Sequence, residues 1–118
     1  METTKYKSIT WMGSSLEDLK EFPRDVQREV GFALYRTQIG KHRHSVKPLK
    51  GFSGVMEIVS SYASDTYRTV YAIKLGKRIY VLHAFKKKSK KGIKTPKPEI
   101  EIIKQRLKRA KELAKEEP

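Results

Sequence analysis

A chain of 118 residues has room for one core and not for two ordinary domains, and 37% hydrophobic residues suffice to build it. The absence of cysteine excludes disulfides and thiolate metal sites, and the lack of an apolar leader or of any run of membrane-spanning length points to a cytoplasmic protein with no membrane partner. A net charge of +14 points instead to polyanions.

Residues 5–11 alternate loosely between polar and apolar and read as a first strand ending at Trp11. Ser14 and Ser15, with Glu17 and Asp18 three residues after each, form a capping-box signature for a short helix that must stop before Pro23. A second helix starts with Pro23 in its first turn, places Phe22, Val26, Val30, Ala33 and Leu34 at helical spacing, and stops at Gly40. The stretch 41–54, with Pro48, Gly51 and Gly54, reads as loop.

Residues 55–59, 67–75 and 78–85 are rich in β-branched and aromatic side chains and predict three strands of a meander. Leu75-Gly76-Lys77-Arg78 is a tight turn between the last two strands, and 60–66 a looser one between the first two. A basic loop over 86–98 leads to a helix over 99–115 with Ile100, Ile103, Leu107, Ala110 and Leu113 or Ala114 as its apolar stripe. Glu116 and Glu117 oppose the helix dipole and predict a frayed last turn. The fold class is α+β: a small antiparallel sheet, the N-terminal strand plus the three-strand meander, packed against an N-terminal helical hairpin and a C-terminal helix in one domain over 1–118.

The positive charge is concentrated. Residues 1–40 are neutral overall, whereas residues 41–98 carry fifteen Lys and Arg against Glu57 and Asp65 alone. The run from Phe85 to Pro98 holds seven lysines and no acid. Lysines in such a segment suit phosphate contacts, and nearby aromatic residues suit unstacked bases. A basic surface kept for solubility is the bland alternative.

Alternation places Arg68, Val70 and Ala72 on one face, with Tyr67, Thr69 and Tyr71 on the other. In the last strand Leu82 and Ala84 share a face, opposite Val81, His83 and Phe85. Arg68 is either a surface ion-pair partner of Glu57 or a planar clamp on a phosphate. Phe85 reads as a core residue, and His83 as a packed strand residue ahead of a catalyst. His42 and His44 lack acidic or cysteine neighbours, so no metal site is expected. Neither a phosphate-cradling loop nor a dinucleotide fingerprint is present, and clustered acids for a two-metal nuclease are lacking.

Several short runs, taken in order, resemble the RelE/HigB toxin family, most closely its phage-derived branch. They are Lys47-Pro48-Leu49-Lys50-Gly51, Met56-Glu57-Ile58, Tyr67-Arg68-Thr69-Val70-Tyr71, Leu82-His83-Ala84-Phe85 with the lysines that follow, Thr95-Pro96 and Glu99-Ile100. The resemblance implies a RelE-like domain that cleaves mRNA on the ribosome by attack of the RNA 2′-OH on its neighbouring phosphate, needing no metal or cofactor. It implies Arg68, Lys87, Tyr71 and His83 as catalytic candidates. Lys50, Lys86, Lys88, Lys90, Lys91 and Lys94 become RNA-binding candidates. Implied partners are mRNA on the ribosome, with rRNA contacts, and a cognate helix-turn-helix antitoxin through which alone operator DNA would be met. Many relatives carry an arginine where this chain has Val59. A non-catalytic RNA- or ribosome-binding module is the second reading.

Overall fold

The computed structural model describes residues 6–41, 46–87 and 95–117. Its elements are β1 (Ser8–Trp11), α1 (Ser15–Lys20), α2 (Arg24–Gln38), β2 (Val46–Pro48), β3 (Val55–Tyr62), β4 (Asp65–Leu75), β5 (Arg78–Lys87) and α3 (Lys97–Glu116). The five strands form one sheet in the order β1-β5-β4-β3-β2. The β3–β4–β5 meander and the β2 edge are antiparallel, while β1 runs parallel to β5. The α+β expectation holds, with two additions: a parallel edge and an extra strand.

The sheet separates two apolar layers. On one face Val26, Val30, Ala33 and Leu34 of α2 and Leu19 of α1 cover Ile58, Tyr67, Tyr71, Ile79 and Val81. On the other, Ile103, Leu107 and Ala110 of α3 cover Val55, Val70, Tyr80, Leu82 and Phe85. Both helices present one stripe to the sheet, as the spacing of their apolar residues requires. Phe85 is a core residue, as expected.

Local details depart from the sequence reading in ways that have physical causes. The capping box does not close: Ser14 Oγ donates to the Asp18 carboxylate at 2.8 Å, leaving no side-chain cap on the helix amides. The stretch read as loop contains β2, a three-residue edge strand stopped by Pro48. The looser turn of 60–66 is a two-residue reversal, because β3 and β4 pair as far as Tyr62 and Asp65. Ala63 and Ser64 turn the chain there with φ of 49° and 71°, the backbone that a tight hairpin demands.

The basic segment also starts later than expected. Lys86 and Lys87 belong to β5, and α3 begins at Lys97 with Pro98 in its first turn. At the far end Glu117 accepts a 2.6 Å hydrogen bond from Arg78 Nε, which ties the end of α3 to the sheet where fraying was expected. Among the described residues no helix is long and apolar enough to cross a membrane.

One irregularity decides which side chains meet. Val70 pairs with His83 but Tyr71 pairs with Val81, so Leu82 is an extra residue, a β-bulge in β5. The bulge reverses the alternation. Val81 packs under α2, whereas Leu82 and Phe85 pack under α3, and His83 bonds to α3 residues. The expected grouping of Val81 with His83 and Phe85, and of Leu82 with Ala84, is therefore corrected: Ala84 lies with Val81 on the α2 side.

Candidate active site

The register gathers charged residues on the α3 face, near the end of the sheet where β5 finishes. Glu57 of β3 stands opposite Lys47 of β2 on one side and Val70 of β4 on the other. Arg68 of β4 stands between Val59 and Phe85. Directly paired residues share a face, so Lys47, Glu57, Arg68 and Phe85 all project toward α3. Lys87 follows Phe85 by two and projects the same way.

Glu57 and Arg68 are diagonal neighbours across β3 and β4. Arg68 Nη1 donates to Glu57 Oε1, and both residues are buried, at 5% and 4% exposure. The ion pair anticipated from sequence exists, yet it is a buried pair and not a surface one. Arg68 Nε is buried too and has no hydrogen-bond partner among the described residues. The guanidinium thus retains an unmet donor, which a buried polar group rarely does.

Lys87 is equally buried. Burial, followed by the charge of Arg68 and that of Lys47, holds its ammonium pKa below the ordinary lysine value, while Glu57 opposes the shift. A groove of about 550 Å³ opens above the Glu57–Arg68 pair. Lys47, Pro48, Leu49 and Lys50 form one wall, and Thr95 with Ile100 of α3 forms the other. Its floor and rim carry Arg68, Lys47 and Lys50 against the single carboxylate of Glu57. Such an excess of cations in a half-enclosed cleft attracts phosphate, and Arg68 supplies a planar donor set within it.

The remaining candidates separate. His83 lies beside this region, held by α3: its Nε2 is 2.9 Å from Glu99 Oε1 and its Nδ1 is 3.4 Å from Arg106 Nη1. Since Arg106 can only donate, the tautomer with hydrogen on Nε2 satisfies both contacts. The ring also stacks on Phe85 at 4.9 Å between centroids. Arg106 continues the network to the Leu82 carbonyl at 2.9 Å and to Ser14 Oγ at 3.2 Å.

Tyr71 does not join the groove. It is fully buried on the α2 face, and its hydroxyl lies 3.0 Å from Thr37 Oγ1. Burial raises its pKa, a shift that the Thr37 contact only partly offsets. Lys86 also leaves, because it pairs with Tyr67 on that other face. There it bonds Asp65 at 3.0 Å, and this bond raises its pKa. Lys50 is on the groove wall. Lys88, Lys90, Lys91 and Lys94, like His42 and His44, lie outside the described residues.

Sequence reasoning missed Lys47, Thr95 and Ile100 as groove residues. Lys47 was hidden because its segment read as loop; recognising a strand there would have placed it opposite Glu57. Thr95 and Ile100 reach the site only through the docking of α3.

No curated protein matches the chain. Among solved structures, the toxin–antitoxin complex RelBE2 from Mycobacterium tuberculosis is similar, at 16% identity over 75% of this chain and 98% of that one, with a TM-score of 0.49. Residues 17–108 match the family model described as phage-derived protein Gp49-like (DUF891). That match spans most of the domain, from α1 into α3 and across the whole meander, and the chain accordingly belongs to the phage-derived Gp49-like family.

Proposed function

We propose that this protein is the toxin of a toxin–antitoxin pair, a ribosome-dependent endoribonuclease that stops translation by cutting mRNA. The observation that carries this reading is the buried Arg68 guanidinium, held by Glu57 at the floor of a cationic groove with Lys87 beside it. The sequence resemblance to RelE/HigB toxins supports the same reading, and so does the membership in a phage-derived family.

The reaction these residues suit is transfer within the RNA chain. The 2′-oxygen bonds to the adjacent phosphorus, the bond from phosphorus to the 5′-oxygen breaks, and the products are a 2′,3′-cyclic phosphate and a 5′-hydroxyl end. The 2′-OH gives up its proton and the departing 5′-oxygen gains one, so no metal or outside reagent is consumed. Arg68 would stabilise the negative charge that grows on the phosphoryl oxygens, and Glu57 would fix its orientation. Lys87 would act beside it, as a second cation or as the group that moves a proton. A lowered pKa brings a lysine closer to the range where it can do so at neutral pH. The ribosome would supply the in-line placement of the message. His83, tied between Glu99 and Arg106, is a positioning residue for α3. The neutralising partner would be an antitoxin, expected to be a helix-turn-helix protein.

A second reading is favoured by one specific observation: Arg68 is already neutralised by Glu57. Under it the groove binds RNA or the ribosome and blocks translation without cleavage. Inducible expression in a bacterial host, with 5′-end mapping of a translated message, separates the two. Because Arg68→Ala would strand the buried Glu57 carboxylate, Arg68→Lys and Lys87→Met are the informative variants. Growth arrest with in-frame cuts that both variants abolish supports the nuclease. Arrest without cuts supports the binder, and absence of arrest contradicts both.

A further inference from the structure

The groove is larger than a phosphate group needs, and its chemistry is divided. The Glu57–Arg68 pair forms a charged floor, but the walls beside it are mostly apolar: Pro48 and Leu49 on the β2 side face Ile100 in the first turn of α3. Leu49 is buried at 4% exposure, and its own N–H donates to the Val55 carbonyl at 2.9 Å, which ties this wall to β3. Ile100 is half-buried, and its N–H bonds the Pro96 carbonyl at 3.1 Å, which fixes the helix start. A largely apolar cleft whose floor carries the Arg68 guanidinium has the polarity of a site for an apolar ring attached to a phosphate.

We propose that the Pro48–Leu49 and Ile100 walls form a slot for one unstacked nucleobase, the base whose 3′-phosphate sits on Arg68. This rests on the reading of the groove as the RNA phosphate site, and it adds a specificity element to that reading. The base is gripped by its faces between aliphatic side chains. Thr95, on the α3 wall, offers a hydroxyl that can donate to or accept from the base edge. Face-on apolar contact tolerates all four bases, so preference among them falls to Thr95. Extraction of a base into such a slot needs it to be unpaired and unstacked, which confines the site to single-stranded RNA.

The test uses the full-length protein and four probes: inorganic phosphate, ribose 3-phosphate, and the 3′-phosphates of adenosine and cytidine. Binding is read by titration calorimetry and by amide shifts of residues 95–103. The nucleoside phosphates are expected to bind about tenfold more tightly than ribose phosphate, from the apolar surface the base buries. That advantage should shrink several-fold in Ile100→Ala and in Pro48→Ala, which alter one wall each, while phosphate binding is retained. Thr95→Val should change the ratio between adenosine and cytidine phosphates.

Equal binding of nucleoside phosphates and ribose phosphate would overturn the slot while leaving Arg68 as a phosphate site. Unchanged discrimination in both wall variants would overturn it as well. Failure of every probe to bind would overturn the slot together with the reading of the groove as a phosphate site.

Discussion

Glu57 and Arg68 form a buried ion pair across β3 and β4, offset by two residues from direct register, so that Glu57 stands opposite Val70 and Arg68 opposite Val59. Two charges removed from water stabilise a fold little by themselves, but separating them is costly. Glu57→Ala should lower unfolding free energy by about 3–5 kcal/mol, seen as a lower urea midpoint. The double change Glu57→Leu with Arg68→Met should recover most of that loss and remain unable to cleave RNA. A Glu57→Ala variant as stable as the native chain would show that the pair is not buried in solution.

Lys87 should show the opposite behaviour. Its folded pKa is lowered, chiefly by burial and then by Arg68. The unfolded chain therefore binds more protons at this site between the folded pKa and the ordinary value of 10.5. Stability linked to Lys87 is present above 10.5 and is lost as pH falls through the folded pKa. Lys87→Met should accordingly match or exceed native stability at pH 7, with the advantage narrowing as pH rises toward 10.5. Cleavage by Lys87→Met should fall by about 10²–10⁴-fold if the lysine moves a proton. Chemical denaturation of both chains across pH measures the first effect, and single-turnover cleavage the second.

Tyr71 lies on the wrong side of the sheet for chemistry in the groove. Tyr71→Phe should leave cleavage unchanged and cost about 1 kcal/mol, the net value of its bond with Thr37. A large loss of cleavage in a variant that folds normally would require Tyr71 to reach the RNA.

The contacts of His83 join β5 to α3. In His83→Ala, Glu99 loses its partner and Arg106 loses one of its contacts, at a cost of about 2 kcal/mol. The effect should be local: faster amide exchange over the first three turns of α3, with α2 unaffected. Uniform acceleration across both helices would mean that His83 supports the whole core.

Most of the architecture was legible because long, periodic segments dominate it. The stripe from Phe22 to Leu34, the Gly76 turn and the apolar face of α3 each follow from spacing alone. What stayed hidden rests on pairing. Three residues ending in Pro48 carry too little pattern to announce an edge strand, and only the ladder with β3 makes them one. Ala63 and Ser64 adopt positive φ without the glycine or asparagine that would signal it. No feature of Val81–Phe85 betrays the extra residue at Leu82, yet that bulge carries His83 to the α3 side. For the site, alternation placed Arg68 correctly, and the register with Phe85 put it near the end of β5. Only the family resemblance singled Lys87 out from the seven lysines of its run, because its burial depends on the strand extending two residues past Phe85.

The most direct measurement incubates the purified protein with a defined message, alone and with programmed ribosomes, and determines the chemical ends of every fragment. In-frame cuts that require ribosomes and leave 2′,3′-cyclic phosphate on the upstream fragment are expected, and they should disappear with Arg68→Lys. Inhibition of translation with the message intact, or cuts that leave a 3′-hydroxyl, would contradict an endoribonuclease built on the Glu57–Arg68 groove with Lys87 beside it.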